Sequence, residues 1–167
     1  MSRKTSNRVL NGKHVLVTRP ENQAEGFASR LRREGAVPVL LPTIATIAPD
    51  SWAAVDAAID SLTDYDWIIF TSVNGVRFFC HRLEELGHSL SRLPRQGVIS
   101  VGPKTTAALK KLGVKSRITA EKFQGEGILQ ALADTDVAGR RFLLPRALKA
   151  REILPETLRR RGATVDV

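Results

Sequence analysis

An α/β fold of parallel-sheet βαβ units, in two lobes of which one is near complete and one partial, is predicted by three features of the sequence. Short apolar runs alternate with longer amphipathic stretches, the pattern of parallel strands joined by crossover helices. Glycine stands just past four of those stretches, at Gly35, Gly87, Gly113 and Gly162, where a helix commonly ends in the left-handed region. One strand–turn–helix–turn unit also occurs twice. Residues 15–36 align without gaps on residues 142–163, at an offset of 127 (142 less 15). Leu16 then meets Leu143, Arg19 meets Arg146, Leu31 meets Leu158, and Gly35-Ala36 meet Gly162-Ala163.

The elements follow in order. Residues 15–18 (V-L-V-T) predict a strand and 21–34 a helix closed by Gly35. Residues 37–41 predict a second strand, broken by Pro42. Asp50 or Ser51 is placed to cap a helix through about residue 62. The run W-I-I-F at 67–70 predicts a buried strand, and an apolar residue every three or four positions predicts a helix over 74–86. Residues 97–101 predict a strand, 103–112 a helix with Pro103 at its first position, and 117–119 a short strand. A helix over 126–132, a strand over 141–144, a helix over 149–161 and a last strand over 164–167 complete the series.

Three segments result. Residues 1–13 are expected to form a flexible basic tail, 14–46 the N-terminal part of the first lobe, and 47–167 a second lobe ending in a linker strand. Two strands and one helix cannot bury a stable core. The first lobe is therefore expected to be finished by chain beyond the sequence or by another molecule.

An apolar share of 43% and a charged share of 26% over 167 residues describe an ordinary globular chain. The one cysteine, Cys80, excludes an internal disulfide, and no apolar run reaches membrane-spanning length. A cytoplasmic location is the expectation. Lys and Arg outnumber Asp and Glu by 26 to 17, which favours an anionic partner. Pairs such as Arg32-Arg33, Lys110-Lys111 and Arg159-Arg160 fall in last turns of predicted helices, where cations complement the dipole. With aromatics at 5%, the interleaving used by single-strand nucleic-acid binders is missing.

In open parallel sheets, ligands bind beyond the carboxyl ends of the strands. Three turns sit at such ends: Thr71, Ser72, Asn74 and Gly75; Gly102, Lys104, Thr105 and Thr106; and Pro145 with Arg146. Hydroxyls and helix N-terminal N–H groups suit carboxylates. Structural uses compete: Thr71-Ser72 as an N-cap pair, Gly102-Pro103 as a turn and first helical position, and Lys149 as a solvated helix residue. Arg19 and Arg146 each stand just past a strand. His14, His81, His88 and Cys80 share no metal-ligand spacing, so no metal is expected. Gly125 and Gly127 form no phosphate loop. Cys80 shares a helix face with Val76 and Leu83 and reads as packing, and Tyr65 as the anchor of a sheet edge.

V-L-V-T-R-P near the start, I-I-F-T-S-V-N-G-V in the middle, V-G-P-K-T-T-A-A-L-K-K-L-G-V, and L-L-P-R-A with R-E-I-L-P-E-T-L-R-R-R-G-A resemble uroporphyrinogen-III synthase, from about residue 14 to 167. The resemblance implies two α/β lobes joined by two linker strands, with the first lobe built from both chain ends. It implies a cofactor-free, monomeric enzyme that binds neither nucleic acid nor membrane. Its substrate would be hydroxymethylbilane, an octacarboxylate linear tetrapyrrole, dehydrated, inverted at its terminal pyrrole and closed to uroporphyrinogen III. Catalysis would be chiefly by positioning, in a cleft between the lobes. Thr105 would be the hydroxyl assisting water loss. Arg19, Thr71, Ser72, Asn74, Gly102, Lys104, Arg146 and Lys149 would bind substrate. The family's tyrosine would lie just beyond Val167, which leaves turnover by this chain in question. The rivals are a synthase-like anion-binding regulatory module, a receiver or nucleotide domain, and a basic nucleic-acid binder. A receiver needs an acidic cluster at strand ends, where this chain has Thr, Arg and Gly.

Overall fold

The computed structural model describes residues 8–94, 96–120 and 125–167. The chain divides into two compact units, Met1–Ala48 and Pro49–Val167.

In the first unit, β1 (His14–Val17), α1 (Glu21–Arg33) and β2 (Val37–Leu40) make one βαβ turn. The strands pair in parallel, Leu16 against Val39. α1 lays Ala24 and Leu31 on Val17 and Ala36, so one sheet face is covered. Leu16 and Val39 on the other face stay open to solvent. Residues 8–13 depart from the tail reading. They form turns in which the Gly12 N–H donates to Gly35 O at 3.0 Å, and Leu10 packs on the α1 core. The backbone of Asn11 fills the space beside Gly35, whose φ of +87° admits little else than glycine.

The second unit carries α2 (Ala53–Asp60), β3 (Trp67–Phe70), α3 (Val73–Glu85), β4 (Gly97–Val101), α4 (Gly102–Lys111) and β5 (Ser116–Ala120). α5 (Gly125–Ala131), β6 (Arg141–Leu143), α6 (Ile153–Arg160) and β7 (Thr164–Asp166) follow. All five strands run parallel in the order β5-β4-β3-β6-β7. β3, first in sequence, thus lies at the centre. The chain winds outward from it one way through β4 and β5, then the other way through β6 and β7. The order reverses between β3 and β6.

That topology explains why W-I-I-F is apolar throughout. Ile68 and Phe70 pack with α2, α3 and α4, and Trp67 and Ile69 with α5 and α6, so every residue of β3 is buried. Cys80 belongs to the first of these layers, between Val76 and Leu83. Burial and the neighbouring Glu84 push its thiol up to about 11, which makes it an unreactive packing group. Tyr65 reaches across the sheet, its hydroxyl donating to Asp166 Oδ2 on the edge strand β7 at 2.8 Å. Arg141 donates to the same oxygen at 2.9 Å and lies 4.7 Å over the Tyr65 ring.

Two helices begin later than the sequence suggests. α2 starts at Ala53, with Ser51 Oγ accepting the Ala53 N–H at 3.2 Å, and Leu62 falls in the short 3₁₀ turn Leu62–Asp64. α6 starts at Ile153, leaving Lys149 in an exposed loop instead of on a helix. Pro155 is the reason. A helix from 149 would bury its ring mid-helix, against the carbonyl four residues back and without an N–H to donate. A start at Ile153 puts it in the first turn, where no donor is needed.

Candidate functional site

The turns after β4, β3 and β6 leave three adjacent strands, so they stand side by side along the carboxyl edge of one sheet. The β3 and β6 turns flank the point where strand order reverses, the usual ligand crevice of doubly wound sheets. Their closeness is measurable: a Cβ on Gly75 would lie 3.1 Å from the carbonyl oxygen of Pro145 and 3.4 Å from Ser72 Oγ. Glycine at position 75 lets the two turns meet.

After β3, Ser72 takes an extended conformation and its Oγ accepts the Gly75 N–H at 3.0 Å, a side-chain N-cap for α3. Such a cap contributes about 1 kcal/mol. Thr71 and Asn74 beside it are half-buried. Ser72 therefore has the structural use that competed with ligand contact. Its hydroxyl still lies at the exposed rim, and a cap oxygen accepting one N–H retains a proton to donate.

After β4, Gly102 turns the chain with φ +72° and Pro103 opens α4. Lys104 is exposed, whereas Thr105 is 4% exposed and faces the core. The less buried threonine of this turn is the next one. Thr106 lines a groove of about 650 Å³ with Gly102, Ala107, Lys110 and Thr119. Thr106 Oγ1 donates to Gly102 O at 3.1 Å and lies 2.7 Å from Ser100 Oγ. Ser116 donates to Ser100 at 2.7 Å. Each hydroxyl has one proton, and Thr106 commits its own to Gly102, so Ser100 donates to Thr106. Ser100, wholly buried, is thereby satisfied. The sequence leaves one of Thr105 and Thr106 facing solvent without saying which, and its reading passes over Ser100. The available signal was a serine inside the otherwise apolar V-I-S-V.

After β6, Arg146 does not extend into solvent. Its side chain is 10% exposed, Nη1 donates to Arg151 O at 2.7 Å, and Nη2 pairs with Glu152. Nε is buried without an acceptor. Arg151 lies before the N-cap Glu152 and outside the helix, so its carbonyl has no helical donor, and Arg146 supplies one. Lys149 and Arg151 are exposed on the same loop. Arg19, in the first unit, is exposed with its guanidinium 4.4 Å over the Phe27 ring. The structure thus brings Thr71, Ser72, Asn74, Gly102, Lys104 and the largely buried Arg146 to one sheet edge, with Lys149 exposed on the loop that follows. Thr105 lies beneath that edge. Among the described residues, no cluster has the composition of a metal site. No helix among them is long and apolar enough to cross a membrane.

A family profile described as "Uroporphyrinogen-III synthase HemD" matches residues 25–167. The uroporphyrinogen-III synthase of Synechococcus elongatus is 35% identical over 157 residues, 93% of this chain and 59% of the relative. That of Salmonella typhimurium is 32% identical over 153 residues, 91% of this chain and 61% of the relative. Among solved structures, a mutant uroporphyrinogen III synthase of Thermus thermophilus superposes with a TM-score of 0.68 at 21% identity, a likeness of fold. The alignment covers 92% of this chain and 60% of that one. The chain spans about three fifths of the length of these relatives.

Proposed function

Since the chain belongs to the uroporphyrinogen-III synthase family, we propose that its second unit binds the carboxylate arms of hydroxymethylbilane, or of the ring it closes to, in the synthase reaction of tetrapyrrole biosynthesis. The observation that carries this reading is the row of three turns along one sheet edge, two of them meeting at Gly75 and Pro145. The linear substrate closes unaided to the uninverted isomer, so selectivity requires only that its ends be held in the spiro-forming arrangement. Polar turns without an acid–base dyad are adequate for that task.

The roles are these. Thr71, Ser72, Asn74 and the α3 N-terminus hold one carboxylate arm, and Gly102 with Lys104 another. Lys149 and Arg151 draw the polyanion in. Arg19, exposed in the first unit, has its carboxylate-binding role by resemblance alone. Water loss falls to the first turn of α4. Thr105 is the hydroxyl assigned to it by resemblance, and Thr106 the one that borders the groove. Paired Thr105→Val and Thr106→Val variants separate the two.

The test incubates the chain with enzymatically generated hydroxymethylbilane and resolves uroporphyrin isomers I and III after oxidation. Isomer III above the spontaneous background supports a lyase. Bound tetrapyrrole with isomer I alone supports the second reading, an anion-binding module of synthase descent. Neither turnover nor binding removes both.

A further inference from the structure

We propose that Glu152 is a displaceable internal carboxylate, occupying half of a two-point site on Arg146 that a carboxylate arm of the ligand takes in full. The inference rests on the function proposed above and adds a residue that sets affinity.

Arginine offers two straight edges to a carboxylate, and the edge formed by Nε and Nη2 accepts both oxygens in parallel. Here the other nitrogen, Nη1, is committed to Arg151 O, which lies before the helix and has no helical donor. That contact holds the guanidinium in place and leaves the Nε/Nη2 edge as its variable side. Glu152 Oε1 meets Nη2 only, and Nε is buried with no acceptor. A buried donor without a partner is destabilising and is rare enough in folded proteins to require a cause. A ligand carboxylate on both nitrogens would remove that deficit. Glu152, on a side chain half open to solvent, would return to water at little cost.

The surroundings agree. Arg146 follows Pro145, whose carbonyl abuts Gly75 at the strand-order reversal. The loop between Arg146 and α6 has no regular structure, and its Leu148 is 98% exposed. Such a loop can shift as Glu152 swings away, without disturbing the core. A site that must first shed its own carboxylate keeps only the share of its intrinsic affinity given by the fraction of time that it stands open. Removing Glu152 should therefore tighten binding.

The test titrates the chain with uroporphyrin III, the octacarboxylate oxidised product, by fluorescence. Glu152→Gln and Glu152→Ala should bind it about three- to tenfold more tightly than wild type. In an Arg146→Lys background, which keeps the charge and loses the planar edge, the gain should vanish. A Glu152 with a purely structural role would lower the melting temperature and weaken binding in either background. Amide exchange reads the same event independently: uroporphyrin III should accelerate exchange over residues 148–152 of the wild type. Unchanged or weaker binding by both Glu152 variants, with wild type still binding, overturns this inference alone. Absence of binding by every form overturns it together with the function it rests on.

Discussion

In the two copies of the repeated unit, Gly12 N–H donates to Gly35 O at 3.0 Å, and Gly139 N–H to Gly162 O at 2.8 Å. The glycine that closes each helix has φ +87° or +86°. His14 pairs with Val37, and Arg141 with Thr164, in the same parallel register. The likeness therefore runs beyond the aligned residues into the turn that precedes each strand. Yet Leu16 is 57% exposed and its counterpart Leu143 only 4%. β6 has β3 beside it and helices over both faces, whereas β1 has one strand and one helix. Local chemistry sets the turns and the register. Neighbours decide whether a leucine counts as core.

Truncating both leucines should give the largest difference between the copies. Leu143→Ala should cost about 3 kcal/mol, read from urea unfolding followed by tryptophan fluorescence. Leu16→Ala, open on its face, should cost below about 1 kcal/mol, read as amide-exchange protection in β1 and β2. Equal penalties would mean that the bare face of the first unit is covered in solution. The closing glycines come next. Gly35→Ala and Gly162→Ala each force a side chain into the left-handed region, at about 1–2 kcal/mol. Gly35 should be the more costly, because its new Cβ would meet the Asn11 backbone at 3.0 Å. At Gly162 it would meet the Ala138 Cβ at 3.3 Å.

The paired arginines carry the same contrast to the candidate site. Arg146→Ala strips the donor from Arg151 O and the partner from Glu152, a loss of about 1–3 kcal/mol. Arg19→Ala removes an exposed contact with the Phe27 ring, at about 0.5 kcal/mol. Thermal shifts on the two variants should keep that order.

Element order was legible because period and punctuation agreed. β3 and β4 begin and end where the sequence places them, each bounded by turn residues. α6 starts four residues after the sequence places it, since apolar spacing continues smoothly through 149–153 and only Pro155 sets the boundary. The three strand-end turns could be named from the chain, but their adjacency could not. It depends on strand order, which is a tertiary choice between β4 and β6 as neighbours of β3. Which of Thr105 and Thr106 is the more buried was equally out of reach. Two threonines in one turn are equivalent until the helix face against β5 is known.

The smallest effect separates the copies by chemistry. Asp166 on β7 aligns with Val39 on β2, so only the second copy carries a titrating group there. Partial burial pushes the Asp166 carboxyl up, but the Tyr65 hydroxyl and the Arg141 guanidinium together hold it below the ordinary carboxylate value. A folded-state value below the unfolded one stabilises the fold above the unfolded value, near ~4, and the stabilisation fades as pH falls through the folded value. With the Asp166 side chain 43% exposed, solvent screening limits the contribution to about 0.5–1 kcal/mol. Asp166→Asn should therefore lie below wild type by that amount in urea unfolding at pH 7, and the two curves should converge as pH falls below ~4. Tyr65→Phe, which removes one of the two groups holding the carboxyl down, should reproduce part of the neutral-pH loss and narrow the pH dependence. A gap between wild type and Asp166→Asn that persists at low pH would assign the loss to packing at the edge of β7, and the two copies would then differ in burial alone.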